Sequence, residues 1–143
     1  MGARTFAAGR RVVARLDHGG DLLMQIAAVA DAHGIATGEV RAVGALQRAE
    51  LAFYDQTDKR YESHAVERPL ELLALVGNVS RRDGETAVHA HLVLGEADGR
   101  CLGGHALPGC VVFACELVLE ELVGETLERG HDEVTGLPLW GGV

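Results

Sequence analysis

The spacing of apolar residues changes along this chain, and near the N-terminus it follows the period of an α-helix. Four apolar side chains recur at 3.6-residue spacing: Leu22, Ile26, Val29 and Ala30. Asp21 precedes them where a capping side chain is expected, and Gly34 follows where a left-handed residue commonly ends a helix. We therefore predict one helix over residues 21–34, with Met24 as a core residue.

The rest of the chain alternates apolar and polar residues with the period of two that is typical of β-strands. Predicted strands cover residues 12–16, 39–46, 50–54, 61–66, 70–78, the histidine-containing run from residue 87, and residues 109–122. Gly44 favours a bulge or a close backbone approach. The nearly all-apolar run 70–78 favours a central strand, and 109–122 favours one long edge or interface strand.

One helix and about seven strands predict an α+β fold with a largely antiparallel (mixed) β-sheet. Residues 1–143 contain no linker or internal repeat and are expected to form a single domain. A single helix covers only one face of such a sheet. We therefore expect subunits to bury the other apolar face against each other.

Composition and charge narrow the possible partners and location. The net charge is −8, and the basic residues form only short pairs such as Arg10-Arg11 and Arg81-Arg82, so DNA binding by the isolated chain is not expected. No apolar run reaches the roughly 18 residues of a membrane span, and no secretory signal is recognised, which predicts a cytoplasmic protein without a membrane partner. The three cysteines are odd in number and lack a CxxC motif, which argues against a disulfide framework.

Three histidines in AVHAHLVLGEADGRCLGGHALPGC carry the candidate chemistry. His89 and His91 are two residues apart in a predicted strand, so their side chains point to the same face, about 7 Å apart. The position of His105 depends on the turn that contains Asp98-Gly99. A two-residue loop places His105 opposite Leu92, on the wrong face, unless a bulge at Gly103-Gly104 turns its side chain back to the face of the other two histidines. A three-residue loop, 97–99, places His105 opposite His91.

A register that unites the three side chains is the one we favour, because neutral imidazoles are good ligands for Zn²⁺ and other divalent ions. Three protein ligands leave a fourth position open for water or a small-molecule ligand. The alternative is three unrelated, partly buried histidines that form ordinary hydrogen bonds. The four other histidines lie in turns or polar contexts and are expected at the surface: His18, His33, His64 and His131.

Candidate catalytic residues are Glu71 and Glu116, because each interrupts an otherwise apolar strand and could act as a general base near a metal-bound water. The alternative is that each faces solvent or pairs with an arginine such as Arg41. Whether the protein is an enzyme stays open at this point.

Four segments together resemble the PPC domain family, named for its occurrence in plants and prokaryotes: LDHGGDLLMQIAAVADAHGI, GEVRAVGALQRAELAFYD, RPLELLALVGNVSRRDGETAVHAHLVLGEADGRCLGGHAL and VTGLPLW. The resemblance implies an α+β homotrimer. It also implies that histidines matching His89, His91 and His105 bind a metal, with zinc the expected ion, in prokaryotic members. In plant members the domain follows an AT-hook and serves assembly and protein partners. Here residues 9–15 (GRRVVAR) are a strand start, not such a hook.

Two other functions remain as alternatives. The first is a DNA-associated, transcription-regulatory assembly module in which the metal is structural. The second is a cupin-like metalloenzyme, because the HxH motif is followed by Glu96 and Gly103 at approximately the spacing of the first cupin motif. No second cupin motif follows Pro108, and the predicted helix replaces strands that a jelly roll requires.

Overall fold

A computed structural model describes residues 2–142 of the chain. Its elements in chain order are β1 Ala7–Leu16, α1 Leu22–Ala32, β2 Gly38–Asp55, β3 Arg60–Val66, β4 Leu70–Arg82, β5 Glu85–Gly95, β6 Cys101–Ala106, β7 Val111–Val123, β8 Arg129–His131 and β9 Pro138–Trp140. The predicted α+β class with one helix and a seven-stranded antiparallel sheet is confirmed. The short β8–β9 hairpin was not predicted.

The helix begins and ends where the sequence indicates. The carboxylate of Asp21 accepts a hydrogen bond from the backbone N–H of Met24 at 3.0 Å, as an N-cap does. His33 is the C-cap, and Gly34 follows with φ +63°. The prediction that Met24 is a core residue is wrong, because 70% of Met24 is exposed. The buried face of the helix is instead formed by three other residues: Leu22, Ile26 and Ala30.

Strand β2 organises the sheet because it pairs with four other strands. The main order is β1-β7-β2-β4-β5-β6, and β3 pairs with the C-terminal part of β2. Leu51 and Ala52 in that same part pair with Ala106 and His105 of β6. The path β2-β4-β5-β6 therefore returns to β2, and the sheet closes on itself there.

Two strand predictions need correction. Residues 39–46 and 50–54 were predicted as separate strands, but both belong to the continuous β2, whose pairing with β7 shifts register between Ala45 and Arg48. Of the two roles predicted for residues 109–122, the edge strand is wrong, because β7 lies between β1 and β2, whereas the interface strand stays a prediction. Two other expectations are confirmed: β4 is central, and the register of β2 against β4 shifts beside Gly44.

The core lies on the face of the sheet that α1 covers, and the opposite face carries exposed apolar side chains. Leu22 and Ile26 of the helix belong to one buried cluster with Leu92, Leu94 and Leu117 of the sheet. On the opposite face four apolar residues are more than half exposed: Val13, Val43, Val76 and Phe113. Subunit contacts of the expected kind need an uncovered apolar surface, and this face provides one.

The other residues that the sequence singled out are three cysteines and four histidines. All three cysteines are unpaired; Cys110 and Cys115 are buried and Cys101 is exposed. His18, His33, His64 and His131 are exposed, as expected. Among the described residues, no helix is both long and apolar enough to cross a membrane.

Candidate metal centre

The β5–β6 hairpin brings the three predicted histidines together. Glu96 and Arg100 close a loop of three residues, with the Glu96 N–H donating to the Arg100 carbonyl at 2.8 Å. Gly99, the last loop residue, has φ +83°, in the left-handed region that glycine adopts without a steric cost. His91 is consequently the direct cross-strand partner of His105. Of the two loops that the sequence left open, the three-residue loop is the one that forms.

The three imidazoles form a compact group on the face of the sheet opposite the helix. Nε2 of His89 and Nε2 of His91 lie 3.2 Å apart. One candidate ligand atom from each of the three residues lies within 4.8 Å of the others. The ring centroids are separated by 5.1 to 5.4 Å.

This geometry fits a small divalent ion. Zinc–nitrogen bonds of about 2.0–2.1 Å in a tetrahedron place neighbouring ligand nitrogens about 3.3 Å apart, close to the separation of the His89 and His91 Nε2 atoms. Nδ1 of His105 is buried without a hydrogen-bond partner among residues 2–142. An unpartnered buried ring nitrogen is costly unless another group satisfies it, so the donor set suits a ligand or metal ion better than a closed hydrogen-bond network.

The environment favours the neutral imidazoles that metal binding requires. Burial, with the charges of His89, His91 and Arg129, lowers the pKa of His105 to about 4. Burial also lowers the pKa of His89, assisted by the positive charges of Arg129 and His91. Both rings are therefore neutral near neutral pH, and no proton has to leave them before a cation binds.

A cleft of about 650 Å³ opens over the histidines. Tyr61 of β3 forms one wall and stacks on His105, with ring centroids 4.8 Å apart and planes inclined by 23°. The β8–β9 hairpin forms another wall through Leu137, Pro138 and Leu139. The cleft thus combines a polar floor with largely apolar sides.

Two arginines supply the charge of this cleft. Arg82 and Arg129 both line it, and no aspartate or glutamate of the described chain does. The Arg129 guanidinium donates hydrogen bonds to Asn78 Oδ1 at 2.7 Å and Ser80 Oγ at 2.8 Å on β4. It also donates to the Pro138 carbonyl at 2.9 Å, which ties β8 to β9 beside the cleft.

The two glutamates predicted as catalytic candidates lie elsewhere. Glu71 pairs with Gly95 at the far end of β5, on the order of 15 Å along the strand from the histidines. Glu116 on β7 lines a second groove on the apolar face, together with Val13, Val43 and Val76. Both side chains are exposed, so within one chain neither is placed to act on a ligand bound at the histidines.

Tyr61, Arg82 and Arg129 were missed as site residues because nothing in the local sequence connects them with the histidines. Tyr61 and Arg129 reach the cleft from elements distant in sequence from β5 and β6, whereas Arg82 ends β4 directly before the turn into β5. The VTGLPLW segment, whose final residues form β9, was the only signal that pointed to this wall.

Comparison with known proteins assigns the family. The sequence profile of the Plants and Prokaryotes Conserved (PCC) domain matches residues 3–123. The chain belongs to this family. The PCC domain is the PPC domain of the resemblance described above, so the cupin hypothesis is wrong. The matched residues include all three histidines and end before the β8–β9 hairpin.

Two solved structures show how closely the fold is shared. A metal-containing protein from Archaeoglobus fulgidus is 41% identical, with a TM-score of 0.93 over 98% of this chain and 99% of that chain. A plant- and prokaryote-conserved (PPC) protein from Pyrococcus horikoshii is 36% identical, with a TM-score of 0.92 over 100% of this chain and 99% of that chain.

A longer protein contains a sequence similar to this chain. The bifunctional protein GlmU of a Synechococcus strain is 37% identical over 124 residues, which are 85% of this chain and 19% of the relative. The chain thus spans about a fifth of the length of the curated relatives that it matches.

Proposed function

We propose that this PCC-domain protein is a metal-binding homotrimer that holds a divalent ion, zinc in the first instance, through His89, His91 and His105. The observation that carries the proposal is the convergence of three ligand nitrogens within 4.8 Å. The Archaeoglobus fulgidus relative is named a metal-containing protein, which supports it. A cytoplasmic location remains a prediction from the sequence.

The donor set suits a borderline ion such as Zn²⁺, which favours imidazole nitrogen and tetrahedral coordination. His89, His91 and His105 would hold the ion with a fourth position open, and a bound Zn²⁺ would supply a double positive charge able to polarise a water or ligand there. The chain's own contribution is to keep the rings of His89 and His105 neutral and to orient all three rings. Tyr61 does part of this by stacking on His105.

The trimer is proposed because the sheet face opposite the helix is apolar and uncovered. Val13 is 74% exposed and Val43 is 51% exposed beside the second groove. Val76 on the same face is the cross-strand neighbour of His91. Subunit contacts across this face would therefore lie next to the histidines.

Metal content of the purified, untagged protein tests the proposal. We expect about one zinc or similar ion per chain by elemental analysis, and its loss in His91→Ala. His64→Ala is the matched control, because His64 is exposed on β3 outside the cluster and should leave the content unchanged. A protein without metal, or an equal content in both variants, would exclude these ligands.

A second variant separates an open site from a structural one. His89→Ala should lose metal while its circular dichroism spectrum and mass in solution stay those of the wild type, because the hydrophobic core does not depend on this half-buried side chain. Unfolding of this variant would show that the ion is needed for the fold.

A further inference from the structure

The charge of the cleft is opposite to that of the chain. The whole protein carries a net charge of −8, yet the charged residues around the cleft are two arginines, Arg82 and Arg129. No carboxylate of residues 2–142 lines the cleft, so its positive charge is only partly offset, by the Asp83 carboxylate that lies 3.7 Å from Arg82. Such a local field attracts anions although the protein as a whole repels them.

Arg129 has capacity for a further acceptor. A guanidinium carries five N–H donors, and three hydrogen bonds hold Arg129 to Asn78, Ser80 and Pro138. These bonds fix the orientation of the planar group without supplying a negative partner. Burial lowers the pKa of Arg129, with a smaller raising effect from Tyr61 and a smaller lowering effect from the charge of Arg82. Among residues 2–142, no carboxylate forms an ion pair with Arg129.

Arg129 also lies close to the histidines, since it lines the same cleft and donates a hydrogen bond to Asn78, the cross-strand partner of His89. An anion between the guanidinium and the three imidazoles would give the charge of Arg129 a negative partner inside the cleft. A cation held by the histidines would strengthen the attraction further.

The walls of the cleft indicate what else the ligand carries. Phe53 and Tyr61 line one side and are 67% and 40% exposed, respectively, while Leu137 and Leu139 line the hairpin side. Exposed aromatic and aliphatic side chains around a charged floor favour a molecule with one anionic end and an apolar body.

We infer that the cleft binds a small organic anion, with its carboxylate or phosphate-type group between Arg129 and the three histidines and its apolar part against Tyr61 and the β8–β9 hairpin. Contact with a metal rests on the proposed function, whereas contact with Arg129 does not. Arg129 lies beyond residues 3–123, so this site depends on the C-terminal hairpin outside the family match.

Binding of benzoate, phenylphosphonate and neutral benzamide to the full chain tests the inference. Isothermal titration calorimetry is performed on zinc-supplemented protein and on chelator-treated protein. At least one anion should bind more tightly than benzamide. Arg129→Gln should weaken that anion about tenfold or more, because it removes a charged hydrogen-bond donor. Arg100→Gln is the control, because Arg100 lies outside the cleft and pairs with Asp98.

Arg82→Gln provides a second variant, since the loss of Arg129 also removes three hydrogen bonds and could unfold the hairpin. Arg82 is exposed at the cleft and its charge is partly offset by Asp83 at 3.7 Å, so its loss should weaken anion binding only about threefold. The inference is overturned if neither anion binds better than benzamide. It is also overturned if Arg82→Gln and any folded Arg129→Gln both bind anion as tightly as Arg100→Gln.

Comparing the zinc-supplemented with the chelator-treated protein distinguishes this inference from the proposed function. Arginine-dependent anion binding that is the same with and without zinc, in a protein that takes up no metal, would retain the inference and reject the metal site. Zinc uptake without anion selectivity would retain the metal site and reject the inference.

Discussion

His91 and His105 face each other across the β5–β6 hairpin as direct cross-strand partners. Their alignment depends on the loop at residues 97–99, because a change of one residue in strand register would turn His105 to the opposite face. The candidate metal site is therefore set by the backbone conformation of a turn as much as by the histidines themselves.

Gly99→Ala should destabilise this turn. Gly99 has φ +83°, and a Cβ there would meet no other atom within 4 Å, so the cost comes from backbone strain rather than from a clash. We expect a loss of about 1 kcal/mol in the free energy of unfolding, measured by urea denaturation. Gly130→Ala is the control, because Gly130 also has open space but no positive φ. Equal losses in the two variants would contradict the role given to the turn.

Acid should destabilise the metal-free protein through His105. Its pKa is about 4 in the folded chain and near 6.5 in an unfolded chain, so the unfolded state binds the proton first as pH falls. The contribution of the neutral His105 ring to the free energy of unfolding is therefore complete above about pH 6.5, and it is lost as the pH falls towards 4.

Urea denaturation of chelator-treated protein at about pH 7 and pH 5 measures this effect. The wild type should lose about 1 kcal/mol more than His105→Gln, a value reduced from the full shift because the ring is only half-buried. The same pH dependence in both proteins would show that His105 is not held neutral by the fold.

Much of the fold follows from local patterns, and the exceptions have physical causes. Asp21 and Gly34 mark the ends of α1 because capping depends on neighbouring residues. The loop that sets the register of His105 could not be chosen from the local sequence, because Asp98-Gly99 is compatible with both a two-residue and a three-residue loop, and the register that unites the histidines was favoured on chemical grounds alone. The continuity of β2 was hidden by its irregular pairing with β7 near Leu46, which interrupts the alternation.

The wall of the candidate site was also beyond prediction. Arg129 donates a hydrogen bond to Asn78, which lies 51 residues earlier in the chain. Tyr61 stacks on His105 although it belongs to a different hairpin. Contacts of this kind depend on how the sheet closes on itself. A periodicity argument therefore finds the histidines but not the arginines and aromatic residue around them.

Val43→Lys should disrupt the proposed trimer. Val43 is 51% exposed on the apolar face, and its cross-strand neighbour is Glu116, so a lysine there is tolerated in one chain but places a charge in a subunit interface. Light scattering should show a smaller species than the wild type. Val134→Lys is the control, because Val134 is 81% exposed near the C-terminal hairpin. A trimer that persists in Val43→Lys would remove this face from the interface.

Duplex DNA should not be retarded by the isolated chain at physiological salt. The net charge of −8 opposes the phosphate contacts that provide most of the affinity for DNA. Arg10, a candidate contact at one end of β1, is already paired with Glu121 at 2.7 Å. A tight, salt-sensitive mobility shift would support the DNA-associated alternative instead.

Anomalous X-ray diffraction from crystals of the zinc-supplemented protein, collected on both sides of the zinc absorption edge, locates the ion itself. We expect one peak per chain at about 2.0–2.1 Å from a ring nitrogen of each of His89, His91 and His105. The absence of a peak among these three rings, or a peak held by other residues, would contradict the proposed metal site.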